Sequence, residues 1–323
     1  CVIGTIFVDC KGFANESYNP VGRNLGHIQF VHGGVGRNVA ENLVNLNLST
    51  FFVATVDKTA IGREVKDRLK KCGINTEYMI PVPDRGMGMW LAVMDQNGEL
   101  AGSISQMPDL GVLEEAVLAN GRNMIEKATH IVLELDLNER ITCAVISLAK
   151  KYNKPVYGIP GNLDVIMHNK NILRDLACFI CNHVEAERLF GKSFAEVDMD
   201  FIQKELISFV NGMGMKSMVV TLGSKGSVYY DAKSQDAGYQ PAFPVRLIDS
   251  CGAGDAFFSG TVMGLIKQQP LSDAVVFGTR VAAWTIETPE NTCADLTVKM
   301  QQDRIFAAIL SQEGIAKENL GRF

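Results

Sequence analysis

The chain has 323 residues, 47% of them hydrophobic and 21% charged, with 31 Lys and Arg against 36 Asp and Glu and a formal net charge of −5. This composition is too apolar for a disordered chain and is typical of a globular enzyme. The acidic balance argues against nucleic acid as a partner, because phosphate binding needs a concentrated basic surface. No apolar run reaches the roughly 18 residues of a membrane span, so no membrane partner is expected.

The beginning of the sequence and its cysteines indicate a reducing compartment. Residues 1–9 have no basic segment and predict a buried strand rather than a signal peptide. Eight cysteines are scattered without the dense spacing of a disulfide-stapled domain. Cys178 and Cys181 form a CxxC pair inside an apolar run, for which a metal or redox site is the alternative to two buried thiols. We interpret the cysteines as reduced and structural, and expect a cytoplasmic protein.

Strand-like apolar runs alternate with helical patterns along the chain. The runs lie at residues 2–8, 51–56, 130–135, 155–158, 177–181, 218–222 and 245–248. The helical patterns lie at residues 35–46, 62–72, 140–152, 184–190 and 201–210, with further helices from about 253, 271 and 299. Near-continuous apolar strands separated by helices predict an α/β fold, a Rossmann-like and mainly parallel sheet with helices on both faces.

Two segments interrupt this alternation. Residues 11–32 are polar with a short strand at 28–31, and residues 87–106 predict a hairpin whose turn contains Asn97-Gly98. We expect these segments to form a small β-sheet that acts as a lid, with surface decoration as the alternative. An exposed edge strand on such a lid favours a homodimer by pairing between lids.

The candidate phosphate site is the run Asp249-Ser250-Cys251-Gly252-Ala253-Gly254-Asp255, between a strand-like segment and a helical one. Neither a Walker A loop nor a dinucleotide fingerprint is present elsewhere. Small residues at a helix start let backbone N–H groups converge on an anion, which the helix dipole favours. Asp255 would stand beside that anion and accept a proton from an attacking hydroxyl. A helix cap with closely packed glycines is the alternative.

A second glycine cluster predicts the acceptor side. Gly33, Gly34 and Gly36 come just before a helix, and Asn38 lies in its first turn. Asp9 is expected to end the first strand, and ligands of open α/β sheets collect outside the carboxyl ends of strands. Asp9 and Asn38 would together suit the vicinal hydroxyls of a sugar. A turn with solvated polar residues is the alternative.

These segments resemble the signatures of one family. Residues 249–255 resemble the D-T-x-G-A-G-D signature of the ribokinase-like (PfkB) carbohydrate kinases, and residues 33–38 (GGVGRN) resemble the first signature of that family. Residues 182–185 match its N-x-x-E element, and residues 221–226 match its T-L-G-x-x-G nucleotide loop. The resemblance implies the ribokinase-like fold over residues 1–323 as a single kinase domain, with the lid segments inserted.

The resemblance also implies roles for individual residues. Asp255 would be the catalytic base, with the transferring phosphoryl group held by the amides at Gly252, Ala253 and Gly254. The ATP site would be formed by Asn182, Thr221, Gly223 and Gly226, with Glu185 organising Mg²⁺ through water. The sugar would be held by Asp9, Gly33, Gly34 and Asn38, with Asp136 as a further substrate-side residue. Asp249 and the Cys251 carbonyl fit a monovalent-cation site for K⁺.

Within the family, residues 33–43, 8–12 and 90–95 are most similar to the pseudouridine kinases. This implies transfer of a phosphoryl group from ATP to the 5′-hydroxyl of pseudouridine, a small-molecule acceptor. In the lid, Asn15, Asn24, Gln29 and Gln106 are candidates to accept a base N–H, and Phe13, Phe30 and Trp90 are candidates to pack on the ring.

Departures from the pattern leave other acceptors open. Ser250 replaces the usual Thr, residues 157–162 do not match the run that pseudouridine kinases tend to show, and Thr279 falls where relatives often carry an Asn that touches adenine. The alternatives are another sugar or nucleoside kinase acting on ribose, fructose or adenosine, a non-catalytic sensor on the same fold, and an NAD-dependent oxidoreductase.

Overall fold

The computed structural model describes residues 1–97, 99–194 and 198–307. The strands are β1 (Val2–Ile3), β2 (Phe7–Ala14), β3 (Gly26–Gly33), β4 (Phe52–Asp57), β5 (Met79–Val82), β6 (Gly88–Met94), β7 (Leu100–Gln106), β8 (Ile131–Glu134), β9 (Val156–Ile159), β10 (Cys178–Asn182), β11 (Ser217–Thr221), β12 (Ser227–Asp231) and β13 (Asp236–Gln240). The helices are α1 (Val35–Asn45), α2 (Ala60–Lys71), α3 (Gly111–Lys127), α4 (Glu139–Lys151), α5 (Asp164–His168), α6 (Ile172–Asp175), α7 (His183–Phe190), α8 (Met199–Met213), α9 (Ala253–Ile266), α10 (Leu271–Ile286) and α11 (Leu296–Gln302).

In the described residues the large sheet has nine strands in the order β13-β12-β11-β10-β9-β8-β1-β4-β5. Neighbouring strands from β11 to β5 run parallel, whereas β12 and β13 add to one edge in antiparallel orientation. The mainly parallel sheet is therefore confirmed. The sequence analysis did not predict β5, β12, β13 or α3. Most residues of β13 are half-buried, so this strand lacks the apolar run that marks the central ones.

Helices cover both faces of the large sheet, as predicted. Alternate residues of each strand belong to different cores because strand side chains point to opposite faces. Val2 packs in a core with α1, α2, α9 and α10, whereas Ile3 packs in a core with α3, α4, α7 and α8. Cys178 and Cys181 divide in the same way, so the CxxC pair does not converge on one site. Burial raises the pKa of the Cys178 thiol to about 12.

The small sheet has four strands in the described residues, in the order β3-β2-β6-β7. It comprises the two expected segments and confirms the hairpin of β6 and β7, although Gly98 in its turn lies outside the described residues. The predicted strand at 2–8 was wrong, because β1 ends at Ile3 and a new strand begins at Phe7. A Cβ at Gly4 would stand 2.7 Å from the Gly36 Cα, so the start of α1 approaches the chain closely where the strand breaks.

A second correction concerns the predicted strand at 245–248. The structure has neither helix nor strand from residue 241 to 250, and Val245, Leu247 and Ile248 are exposed. Val245 and Leu247 line a surface cavity instead of joining a core, which explains why an apolar run here is not a strand. Among the described helices, none combines the length and apolarity needed to cross a membrane.

Candidate active site

In the part of the chain that the structure describes, the first turn of α9 leaves backbone N–H groups open at Gly254 and Asp255, whereas the Ala253 N–H donates to the Ser250 carbonyl at 3.2 Å. Gly252 caps this helix with φ 76°, a left-handed conformation that favours glycine, and no side chain of the described residues caps it. A Cβ at Gly252 would collide with the Asn291 carbonyl, whereas a Cβ at Gly254 would have no heavy atom within 4 Å. The first N–H groups of a helix have no partner within the helix. The surface beside Gly254 is therefore free to receive a ligand.

Asp255 joins the two signature segments of the sequence. Its Oδ2 accepts a hydrogen bond of 2.7 Å from Nδ2 of Asn38, which is 217 residues away in the chain. Burial raises the pKa of Asp255 to about 7, and the Asn38 hydrogen bond and the Arg37 charge oppose that rise. A carboxyl group with a pKa near neutrality is suited to proton transfer at physiological pH.

The glycines before α1 bring the small sheet against this centre. Gly34 has φ 95°, and a Cβ there would stand 2.7 Å from the backbone nitrogen of Phe7, so the position requires glycine. A Cβ at Gly33 would lie 3.4 Å from Oδ2 of Asp9. Asp9 therefore faces the Gly33-Gly34 segment. The prediction that Asp9 ends a strand of the main sheet was wrong, because Asp9 lies within β2 of the small sheet. Burial raises the pKa of this carboxyl group, against the charges of Lys11 and Arg37.

Register divides the small sheet into two faces. We define the inner face as the face that carries Asp9. By the strand register, Lys11, Phe13, His27, Gln29 and Trp90 lie on the same face. The Phe13 and His27 rings stack on it with centroids 4.8 Å apart. The outer face carries Phe30 and Gln106, so these two candidates point away from the acceptor loop. Asn24 bonds to Asn19 and Gly22 in the exposed loop between β2 and β3.

Asp136 lies just after β8, close to both predicted halves of the site. Its Oδ1 is buried and has no hydrogen-bond partner among the described residues. Burial raises the pKa of Asp136, whose charge in turn raises the pKa of both Asp255 and Glu185. The neighbouring Glu134 accepts hydrogen bonds from the backbone N–H groups of Thr5, at 2.6 Å, and Gly36, at 3.0 Å. A buried carboxyl oxygen without a partner among the described residues is suited to a cation or a hydroxyl donor.

Asn182 and Glu185 have a structural role that the sequence analysis missed. Asn182 caps α7 by accepting a 2.9 Å bond from the Glu185 N–H, and Glu185 accepts a 2.7 Å bond from the Asn182 N–H. This reciprocal pair is a capping box, which an Asn followed three residues later by a Glu signals in the sequence. It fixes both side chains at the carboxyl end of β10.

Three of the four predicted nucleotide residues line a cavity of about 730 Å³ together with the start of α9, and Asn182 is not among its lining residues. Thr221, Gly223 and Gly226 form one wall, and Ala253 and Gly254 lie at another. The sequence analysis missed the apolar side chains of the cavity, which are Phe243, Pro244, Val245, Leu247, Ala282, Ala283 and Ile286. Thr279 also lines it, as expected from the sequence. The cavity has the size and apolar lining of a small-molecule site, with a phosphate-type helix start at one end.

The segment of the predicted cation site precedes Gly252. Asp249 Oδ1 accepts a 2.9 Å hydrogen bond from the Cys251 N–H, which folds the segment back on itself. Cys251 is exposed as a residue, but partial burial of its thiol raises the pKa of that group, and the charge of Lys11 opposes the rise. Lys11 on the inner face and the Cys251 segment are thus near one another.

Comparison with known proteins identifies the family. A model described as pfkB family carbohydrate kinase matches residues 1–296. Guanosine-inosine kinase from Exiguobacterium acetylicum is 38% identical over 291 residues, which are 90% of this chain and 95% of the relative. Pseudouridine kinase from Escherichia coli (strain K12) is 25% identical over 297 residues, which are 92% of this chain and 93% of the relative. The chain belongs to the pfkB family of carbohydrate kinases.

Solved structures support the same fold. A structure described as a putative sugar kinase from Clostridium perfringens superposes with a TM-score of 0.77 at 26% identity, covering 96% of this chain and 94% of that chain. Ribokinase from Arabidopsis thaliana, complexed with ribose and ATP, superposes with a TM-score of 0.78 at 19% identity, covering 92% of this chain and 96% of that chain. The fold is ribokinase-like, and the protein is a sugar or nucleoside kinase, a phosphotransferase with an alcohol acceptor.

Proposed function

We propose that this protein transfers the γ-phosphoryl group of ATP to the 5′-hydroxyl of a ribonucleoside, with guanosine or inosine as the preferred acceptor. The observation that supports this best is the hydrogen bond between Asn38 and Asp255. It joins the glycine segment before α1, proposed to hold the acceptor, to the start of α9, proposed to hold the phosphoryl group. The identity of the acceptor rests on the 38% identical guanosine-inosine kinase.

Asp255 is the general base in this proposal. Its carboxylate accepts the proton of the 5′-hydroxyl as the oxygen attacks phosphorus, and the bond to the leaving ADP oxygen breaks. The backbone N–H groups at Gly252 and Gly254 stabilise the charge on the transferring phosphoryl oxygens, and that of Ala253, which donates to the Ser250 carbonyl at 3.2 Å, would join them by releasing that bond. The raised pKa of Asp255, about 7, makes the side chain a stronger base than an ordinary aspartate.

Mg²⁺ fits the carboxylates on the nucleotide side. Bound magnesium takes one or two protein carboxylates together with substrate phosphates and water, and neutralises phosphate charge. Asp136 has an unpartnered buried oxygen, and the Glu185 carboxyl is fixed next to β10 by the capping box. We propose that Glu185 contacts Mg²⁺ through water, with Asn182, Thr221, Gly223 and Gly226 around ATP. Asp136 faces the same centre.

The segment before α9 offers fewer free oxygen ligands to a monovalent cation than the predicted site assumed. One oxygen of Asp249 is engaged by the Cys251 N–H, which leaves the other oxygen and the Cys251 carbonyl as ligands for K⁺. Replacing K⁺ by tetramethylammonium at constant ionic strength should lower kcat in this proposal. Unchanged turnover would remove K⁺ from it.

The acceptor lies between Asp9, Gly33, Gly34 and Asn38 and the inner face in this proposal. Asp9 and Asn38 hold the ribose hydroxyls. Guanine and hypoxanthine carry a ring N–H beside a carbonyl, and Gln29 on the inner face has an amide that can pair with that edge. Phe13 and Trp90 share the face and can pack on a base.

Pseudouridine is the second candidate acceptor. The motif resemblance favours it, and so does the 25% identical pseudouridine kinase. Its base also presents a ring N–H beside a carbonyl, so one amide side chain would serve either nucleoside. Adenosine lacks this N–H, and a site built around it should reject adenosine strongly because a buried polar group would stay unpaired.

An acceptor panel tests the proposal. Guanosine, inosine, pseudouridine, uridine, adenosine and ribose are each supplied with ATP and Mg²⁺, and the 5′-monophosphate is quantified by mass spectrometry. We expect kcat/KM for guanosine or inosine to exceed that for adenosine and ribose by at least about tenfold, or about 1.4 kcal/mol. Preference for pseudouridine would select the second candidate, and preference for ribose would overturn the nucleoside assignment. Asp255→Asn is the inactive control.

We further propose a homodimer that packs through the outer face. This face exposes Ile28 (68%), Phe30 (59%), Leu91 (41%) and Ile104 (69%), an apolar set that is large for a free surface. Light scattering of Phe30→Glu combined with Ile104→Lys should report a monomer.

A single kinase domain over residues 1–323 and a cytoplasmic location are also part of the proposal, the latter because the eight cysteines are free thiols.

A further inference from the structure

Arg37 is enclosed behind the acceptor residues Gly33 and Asn38, closed off from solvent. It lies in the first turn of α1 with 1% of its surface exposed. Its Nε donates to the Gly33 carbonyl at 3.4 Å, its Nη1 donates to Glu41 Oε2 at 2.7 Å, and its Nη2 donates to the His32 carbonyl and to Asn38 Oδ1. A buried guanidinium is stable only when its N–H groups are matched in this way.

The contact with Asn38 fixes which end of the carboxamide faces Asp255. A carboxamide has one accepting oxygen and one donating NH₂ group of similar shape. With Oδ1 against the guanidinium, Nδ2 points at Asp255 Oδ2, 2.7 Å away. The reversed orientation would bring NH₂ against a cation and oxygen against a carboxylate, so the charge of Arg37 excludes it.

The charge of Arg37 is balanced by a chain of ionic contacts that leads to the surface. Glu41 accepts from Arg68 Nη2 at 2.9 Å and from Thr292 Oγ1 at 2.8 Å, and Arg68 donates to Glu290 at 3.0 Å. Burial alone would raise the pKa of Glu41, but Arg37 and Arg68 hold it below its ordinary value. Glu41 is therefore an anion that keeps the Arg37 guanidinium group in place.

Resting on the proposed function, we propose that Arg37 is a positioning residue for phosphoryl transfer: it orients the Asn38 carboxamide so that Asp255 is held, as its anion, in line with the acceptor hydroxyl. It acts through Asn38 and is not itself a contact of the substrate. The charged groups that face Asp255 are Arg37 on α1 and Asp136 after β8, with opposite effects on the pKa of Asp255.

The test compares Arg37→Met with Arg37→Lys. Arg37→Met removes both the fork and the charge, so kcat should fall at least about tenfold with little change in the KM for ATP, and the acid limb of the kcat profile should move to higher pH. Arg37→Lys keeps the charge but cannot bond all acceptors, so kcat should fall while the acid limb stays near its original pH.

Folding controls accompany these variants. Arg37→Met combined with Glu41→Gln leaves no new unpaired buried charge, and this double variant should show the same shift of the acid limb if the single variant folds poorly. Arg63→Met removes an exposed arginine of α2 and should leave kcat and the profile unchanged. All rates are normalised to the folded fraction from circular dichroism.

Two outcomes decide the inference. An Arg37→Met or double-variant enzyme with the original kcat and acid limb overturns it, as does a loss of activity that disappears on normalisation to the folded fraction. Asp255→Asn separates this from failure of the proposed function. If Asp255→Asn stays active, the proposed function fails, whereas an inactive Asp255→Asn with an unaffected Arg37→Met refutes the positioning role alone.

Discussion

The two sheets contribute to one site but are built differently. The central strands of the large sheet are buried on both faces, and β8 and β11 carry little or no exposed side chain. In the small sheet, β7 is exposed along its whole length and β3 over its first five residues. The start of α9, proposed to hold the phosphoryl group, is therefore fixed by packed cores, whereas much of the inner face of the small sheet is open and an acceptor would complete its packing.

This difference separates the effects expected from substitution. Residues at the start of α9 are fixed whether or not substrate is present, so their loss should appear in kcat. Residues on the inner face such as Phe13 have few contacts beyond their neighbours in the sheet, so their loss should appear in KM with little change in stability. The predictions below test that division, beginning with the largest effect.

Asp255→Asn should reduce kcat the most. The substitution keeps the shape and an acceptor for the Asn38 hydrogen bond but removes the proton-accepting carboxylate. We expect kcat to fall by about 10²–10⁴-fold or more, with ATP affinity within about threefold of wild type. Stopped assays of ADP release and calorimetry of ATP binding measure the two quantities. Turnover near the wild-type rate would show that another group takes the proton.

Gly254→Val should abolish turnover without unfolding the protein. An added Cβ here meets no heavy atom within 4 Å outside the adjoining residues and the α9 backbone, so the side chain would project into the space proposed for the phosphoryl group. We expect a loss of about 10²-fold or more in kcat with the thermal midpoint unchanged, because removing one such donor alone costs about that much.

Gly252→Ala is the matched variant for Gly254→Val. Its φ of 76° and the nearby Asn291 carbonyl make an added Cβ strained, so it should lower the free energy of unfolding by about 1–3 kcal/mol. An active Gly254→Val enzyme would show that the phosphoryl group lies elsewhere.

Phe13→Ala and Phe30→Ala test the two faces of the small sheet. Phe13 lies on the inner face beside His27, and Phe30 lies on the outer face with 59% of its surface exposed. Losing a ring that packs on the base should raise the KM for the nucleoside about tenfold, equal to about 1.4 kcal/mol. Phe30→Ala should leave KM unchanged and weaken the proposed dimer. Equal KM values for both variants would place the base away from this face.

The sequence predicted the large sheet and its helices well because their apolar runs are packed on two sides. It predicted the site segments through short motifs, and the structure brings Asn38 and Asp255 together across 217 residues. It failed at Asp9, because a strand break at Gly4 depends on the close approach of α1, which no local pattern reveals. The apolar run at 245–248, of which Val245 and Leu247 line the cavity, was wrongly predicted as a strand for a similar reason: an apolar run does not tell whether a core or a ligand covers it.

The last effect predicted is on stability and not on turnover, and it comes from Asp255 itself. The pKa of this carboxyl group is about 7 in the folded protein, against about 3.9 in an unfolded chain. Between those values the folded state binds a proton that the unfolded state lacks, so this group makes the protein less stable as pH rises, and the loss is complete above about pH 7. Asparagine stays neutral throughout. Asp255→Asn should therefore unfold at higher urea than wild type at pH 8, by about 1–3 kcal/mol, and the difference should shrink at pH 5. Asp84→Asn, at an exposed carboxylate, is the control without such a change. A gain of the same size at both pH values would mean that ionisation of the buried carboxyl group does not lower the free energy of unfolding. The gain would then not come from removing a base whose pKa is raised to near neutrality.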